Sequence, residues 1–263
     1  MKATSMREFH NDIKLFLLSK YSSYIDCPNI RLLDIGVGRG GDIHKWMKCN
    51  IRSVVGVDVN KMYVHDAIGR VRKQHNKFVN CDYRFYYMHE NMIFKRFLQE
   101  RNIACTNAFH IVSCMFAFHY FCSAQTKLDC ILKQISDALV EGGYFIGVVP
   151  QGDTIHELLS NKSGTVYETE SLHVERCYST PQYIGDRIKF MLSGTLYFGE
   201  KMLSEEYLVF QDTLVKSARK FNLELVEYTN FEKYYVQKYD LNATTRQASF
   251  LNGTFAFRKT KCH

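Results

Sequence analysis

Leu32-Leu33-Asp34-Ile35-Gly36-Val37-Gly38-Arg39-Gly40-Gly41-Asp42 decides the fold of this 263-residue chain. An apolar run enters a glycine turn, and a second apolar run, Ser53-Val54-Val55-Gly56-Val57-Asp58, ends in an acid. Glycines at 36, 38 and 40 let the backbone pass close to a ligand where a Cβ would clash. Asp58 stands about twenty residues beyond the turn, the usual place for a carboxylate that grips ribose hydroxyls in doubly wound folds. The two runs predict a βαβ unit that binds a nucleoside cofactor.

Outward from that unit, residues 30 to 150 alternate strand and helix. Strands are expected at 31–35, 53–57, 109–114 and 144–149, and helices at 42–49, 61–77 and 125–140, with Glu141-Gly142-Gly143 as a helix stop. Such alternation implies parallel strands, right-handed crossovers and helices on both faces. Phe9, Ile13, Phe16 and Leu17 put an amphipathic helix at 6–20. Residues 151–200 are less regular and predict an inserted lobe or lid. Their β-prone pieces are Val166-Tyr167, Ile188-Lys189-Phe190 and Thr195-Leu196-Tyr197-Phe198. A helix at 205–221 and strands near 223–228 and 253–258 complete the sheet. The whole of 1–263 reads as one domain.

The turn also satisfies GxGxxG through Gly36, Gly38 and Gly41, so NAD or FAD stay open alongside S-adenosylmethionine. Two details favour the methyl donor. Asp34 suits a cationic methionine moiety and would repel a pyrophosphate. Asp42 opens the next helix and would occupy the N-terminal amides that a pyrophosphate needs.

Composition excludes other classes. No apolar run reaches eighteen residues, as a membrane helix would need, and Met1 to His10 lacks the apolar centre of a signal peptide. Nine dispersed cysteines form no CxxC or CxxH pair, which argues against a zinc cluster and for a reducing, cytosolic or nuclear setting. The net charge of +7 is a weak sign of a polyanionic partner. Its distribution says more: Arg39, Lys45 and Lys48 flank the turn and its helix, and Arg70, Lys73 and Lys77 share a face of the next.

The segments Ser113-Cys114-Met115-Phe116-Ala117-Phe118-His119-Tyr120 and Gly142-Gly143-Tyr144-Phe145-Ile146-Gly147-Val148-Val149-Pro150 resemble the mRNA cap guanine-N7 methyltransferases. Asp34 to Trp46, with its Gly-Gly-Asp and Lys-Trp endings, is similar to that family's first motif. The likeness runs from about residue 7 to 259 and is strongest to the capping enzymes of large cytoplasmic DNA viruses. It implies a class I S-adenosylmethionine-dependent methyltransferase, Rossmann-like, with a seven-stranded, mostly parallel sheet and a small inserted lobe.

Several further expectations come from the resemblance alone. The product would be S-adenosylhomocysteine, and no metal is required because the sulfonium already activates the methyl. Capped RNA would be the partner of a cytoplasmic monomer, excised from a polypeptide that also carries triphosphatase and guanylyltransferase domains. Donor contacts would fall on Lys14, Gly36, Gly38, Asp42, Asp58, Met115 and Tyr120. Cap contacts would fall on His10, Asn11, Arg39, Lys45, Arg70, Phe116, His119, Pro150 and Glu206. Glu206 would accept from the guanine N1 and N2 edge, and Arg39, Lys45 and Arg70 would hold the triphosphate.

The chain departs from the family's pattern at four places. Met115 replaces the usual Gln, and His10 stands where Asn is favoured. The adenine-contacting acid aligns with His89 or the adjacent Glu90, and the late aromatic lid with Asn252 or the nearby Phe250. Other readings are an enzyme acting on ribosomal or transfer RNA, an inactive donor-binding or stimulatory module, and an NAD oxidoreductase. The last lacks an evident acid–base pair.

Overall fold

The structure, a computed structural model, describes residues 2–78, 80–89, 94–160, 165–192 and 203–261. Its elements in chain order are α1 (Lys2–Ser23), β1 (Arg31–Ile35), α2 (Ile43–Lys48), β2 (Ser53–Asp58), α3 (Lys61–Lys73), β3 (Asp82–Tyr87), α4 (Phe94–Gln99), β4 (Phe109–Met115), α5 (Gln125–Ala138), β5 (Leu139–Pro150), α6 (Gly152–Ser160), β6 (Val166–Glu168), β7 (Leu172–Arg176), β8 (Arg187–Leu192), β9 (Ser204–Tyr207), α7 (Gln211–Arg219), β10 (Leu223–Asn230), α8 (Ala243–Phe250) and β11 (Asn252–Lys259). Seven strands form one sheet in the order β10-β11-β5-β4-β1-β2-β3. The run from β5 to β3 is parallel, and β11 enters antiparallel between β5 and β10. The strand order reverses between β1 and β4, and such a switch point opens a ligand crevice at the carboxyl ends of the strands.

Both sheet faces are buried, which is why β1 and β4 read as unbroken apolar runs. Leu32, Ile111 and Ile146 face α1, α2 and α3 through Phe9, Leu17, Trp46 and Ala67. Leu33, Val112 and Phe145 face α4, α5 and α7 through Phe97, Leu132 and Leu214. The expected lobe is a four-stranded antiparallel sheet, β6-β7-β8-β9, closed by Ile155, Leu159, Phe210 and Leu251. Val166-Tyr167 lies on β6 and Ile188-Lys189-Phe190 on β8, whereas residues 195–198 lie outside the described residues. No described helix is long and apolar enough to cross a membrane.

Three elements differ from the sequence reading. The helix expected at 61–77 stops at Lys73, where Arg70, Arg72 and Lys73 fill the last turn against the carbonyl end of the helix dipole. Lys77 sits in a separate 3₁₀ turn, so it does not extend a face with Arg70. The helix expected at 125–140 ends at Ala138, and Gly142, at φ +77°, lies inside β5 rather than at a helix stop. The strand expected at 109–114 is β4, which ends at Met115; beyond it Phe116 turns the chain at φ +60°, and Phe118–Ser123 form a 3₁₀ helix. The helix expected at 205–221 divides into β9 and α7, so the lobe continues to Tyr207.

Candidate functional site

The turns that follow β1, β2, β4 and β5 meet at one edge of the sheet. Gly36 and Val37 donate to Val57 O at 2.9 and 3.1 Å, which fastens the glycine turn to β2. A Cβ on Gly36 would lie 2.5 Å from the Ala117 Cβ, so only glycine lets this turn touch the one after β4. A Cβ on Gly38 would meet no atom within 4 Å, and the space beside it is open at the switch point. Gly38 N–H donates to Asp58 Oδ2 and Asn60 N–H to Asp58 Oδ1, both at 2.8 Å. Each carboxylate oxygen keeps a further lone pair for an incoming hydroxyl. The open Gly38 and the fixed carboxylate of Asp58 fit the ribose of a nucleoside cofactor.

Beneath this cradle the acids behave differently from the sequence reading. Asp34 is turned onto the neighbouring strand rather than left open to the cradle. It is buried, accepts the Ser113 hydroxyl at 2.5 Å, and is pushed up to about 8 by burial and by the charge of Asp42. Asp42 makes no side-chain cap to α2. Its Oδ1 instead meets Lys14 Nζ at 2.8 Å and Lys45 Nζ at 2.7 Å. Burial opposes the charge of Asp42, yet the two lysines hold its carboxyl below the usual range. Burial also lowers the Lys45 ammonium, with Asp42 offsetting part of that.

The position of Asp34 gives an unusual stability profile. Its folded value of about 8 lies above the ordinary 3.8, so the neutral form is the one the fold accommodates. That contribution is complete below about pH 4 and is lost as pH rises through about 8. Asp34→Asn keeps an oxygen for Ser113, so urea unfolding should show a wild type that weakens from pH 5 to 8 by a few kcal/mol relative to the variant, at ~1.4 kcal/mol per pKa unit. Parallel stability curves would mean that Asp34 is ionised throughout.

On the β4 side, His119 is buried, and neither ring nitrogen has a partner among the described residues. Burial lowers it to about 3, so the ring is neutral and offers one donor and one acceptor. Strand β9 packs against the 118–123 turn and brings Glu206 beside Tyr120. Glu206 is half-buried on the same sheet face as Ile188, and its carboxyl is raised by burial, with a 3.1 Å bond from Ser204 acting against that. Phe116 stacks on His10 at 5.5 Å and meets Phe231 edge-on, so an aromatic cluster holds its strained backbone. His10 lies 3.0 Å from Ser249 Oγ and is lowered to about 3 by burial and the nearby Lys14. Asn11 is half-buried beside it on α1.

Other residues of the sequence reading fall elsewhere. Met115 is buried in the core at the end of β4. Pro150 pairs in register with Asn252. Asn252 turns its amide back onto Ala248 O and Ser249 O, closing α8. Phe250 packs edge-on against Tyr235. His89 is exposed just past Met88, whose N–H donates to Asp58 O, while Glu90 lies outside the described residues. Arg39 is exposed and paired with Asp66, Arg70 is exposed, and Lys45 is not. The sequence reading missed Asn60, which fixes Asp58 and caps α3. An Asn before a helical pattern is the signal that could have found it.

Comparison with known proteins bears on this site. The profile of the mRNA (guanine-N(7))-methyltransferase domain matches residues 2–254. The mRNA cap guanine-N(7) methyltransferase of Drosophila melanogaster is 29% identical over 244 residues, spanning 88% of this chain and 55% of that protein. A probable mRNA-capping enzyme of Acanthamoeba polyphaga mimivirus is 26% identical over 274 residues, spanning 90% of this chain and 23% of that one. The chain thus covers about half the length, or less, of these relatives. Among solved structures, the CcbJ methyltransferase of Streptomyces caelestis superposes with a TM-score of 0.61 at 12% identity, over 97% of this chain and 90% of its own. An S-adenosylmethionine-dependent methyltransferase of Clostridium acetobutylicum does so with 0.58 at 14% identity, over 99% and 93%. The fold is that of the S-adenosylmethionine-dependent methyltransferases.

Proposed function

The chain belongs to the mRNA (guanine-N(7))-methyltransferase domain family, and from that premise we propose that it transfers methyl from S-adenosylmethionine to guanine N7 of an RNA 5′ cap. The observation that carries the reading is the meeting of Glu206, Tyr120 and a buried His119, whose ring nitrogens have no hydrogen-bond partner among the described residues, beside the cradle of Gly38 and Asp58. A carboxylate, a phenol and a neutral imidazole together supply the acceptors and donors that a guanine edge needs.

When bound, S-adenosylmethionine supplies a methyl made electrophilic by its sulfonium charge. Guanine N7 brings its own lone pair, so no residue need act as a base. The protein's work is alignment, which is worth effective molarities of about 10⁵ M or more. Asp58 accepts the ribose hydroxyls. Lys14 serves Asp42 and the donor's carboxylate together, since an ammonium carries three N–H donors. His119 and Tyr120 orient the guanine, and Glu206 accepts from its far edge.

The triphosphate assignment narrows. Arg39 and Arg70 are exposed to a polyanion, whereas Lys45 is committed to Asp42. Phosphate neutralisation releases counterions, so Arg70→Ala should reduce the salt slope of cap binding by about one. Lys45→Ala should leave that slope alone. Titration of GpppA at several salt concentrations checks both, and equal slopes in wild type and Arg70→Ala would return α3 to solvent. The reading as a whole is tested with a radiolabelled donor on GpppA and mass analysis of the methylated position. Tight donor binding without transfer would instead mark a non-catalytic module.

A further inference from the structure

The first turn of α3 carries two exposed side chains that the donor and guanine contacts leave unused. Met62 is 74% exposed and Tyr63 36%. Their backbone is fastened at the helix start: Asn60 Oδ1 accepts from Met62 N at 2.9 Å and Tyr63 N at 3.2 Å, while Asn60 itself is tied to Asp58. The acid that meets ribose and this exposed pair therefore ride on one turn.

Arg39 lays its guanidinium over the Tyr63 ring, 4.7 Å from the centroid, and Asp66 holds it there at 3.0 Å. Positions 63, 66 and 70 share a helix face, so the stack stands in line with Arg70. Tyr63 and Glu206 are both electrostatic neighbours of Tyr120. A second pair of the same kind, Lys61 over Tyr87 at 4.8 Å, borders the strip. Arg39, Lys61 and Arg70 place three cations on this surface, of which Arg39 is paired with Asp66 and Lys61 lies over Tyr87, so the strip suits a polyanion.

We propose that Tyr63, backed by Arg39 and flanked by Met62, is a stacking platform for the base of the first transcribed nucleotide. The inference rests on the cap reading above and extends it from the cap into the RNA. Base–aromatic stacking tolerates any base because every base has a π face, and an arginine beside the ring adds to it. Met62 is unbranched and polarizable, which lets it follow bases of different size. Purines, with the larger π surface, should be favoured at that position.

The test compares methyl transfer to GpppA with transfer to the same compound carrying bare ribose in place of adenosine. In the wild type, loss of the base should raise KM about tenfold with little change in kcat. In Tyr63→Ala that difference should vanish, and in Tyr63→Phe it should persist. Tyr63→Leu, of similar bulk but without a π face, should behave like alanine and carries the test if the alanine variant misfolds. A base effect that survives in Tyr63→Ala or Tyr63→Leu, or that is absent from the wild type, overturns the platform alone. No transfer by the wild type to either compound overturns the reading of function and the platform with it.

Discussion

Glu206→Ala is expected to lower methyl transfer to GpppA about 10²–10³-fold while leaving donor affinity nearly unchanged. As N7 takes the methyl, positive charge moves onto the guanine, and a carboxylate at the N1 and N2 edge favours that state over the ground state. The effect should be large because Glu206 is half-buried, where screening is weak. Burial also raises its carboxyl, against the Ser204 bond, and only the ionised form can accept from the guanine N1 and N2 groups with both oxygens and offset the developing positive charge. Turnover should therefore fall as pH drops through a value above that of an ordinary glutamate. Glu206→Gln keeps the shape, presents an amide where an acceptor is needed, and should abolish this acid limb. Steady-state rates from pH 4 to 8, with donor titrations alongside, decide the matter. Equal losses in donor binding and turnover would make Glu206 a structural residue.

Glu206 also marks what could be read without coordinates. Its identity as a candidate followed from the resemblance, yet Ser204-Glu205-Glu206-Tyr207 reads as helix because glutamates are good helix formers. Pairing with β8 overrides that propensity, and only the pairing turns Glu206 toward the 118–123 turn. The glycine turn and Asp58 were legible because their constraint is local, a backbone that admits no Cβ and a carboxylate at a strand end. Phe116 was not: an apolar run gives no warning that one aromatic adopts positive φ, since a cluster of His10 and Phe231 from distant parts of the chain holds it. Asn252 stands at an expected lid position but serves α8, a role set by two carbonyls of a helix the pattern did not reveal.

The same limit explains Lys45, and with it the largest expected loss of stability. Charge spacing marks a lysine on a basic helix as solvent-facing, but Lys45 and Lys14, on separate helices, converge on one oxygen of Asp42. All three side chains are nearly enclosed, at 10%, 14% and 12% exposure. Asp42→Ala removes the only anion from this triplet and leaves two nearly enclosed ammonium groups, of which Lys45 keeps the Gly41 carbonyl at 3.2 Å, without the carboxylate they share. Breaking a buried pair in this way costs about 3–5 kcal/mol. The folded carboxyl lies below its unfolded value because the lysines outweigh burial, so the stabilisation is present above about pH 4 and is lost as pH falls through the lowered value. Urea unfolding at pH 7 should separate wild type from Asp42→Ala widely, and the gap should narrow toward pH 3. Asp42→Ala with Lys45→Met should recover part of the loss, since one of the two neighbouring ammonium charges is removed with the acid. Asp42 also pushes Asp34 upward, so in Asp42→Ala the decline from pH 5 to 8 attributed to Asp34 should shift to lower pH. A variant as stable as wild type at pH 7 would mean that water, and not Asp42, solvates the two lysines.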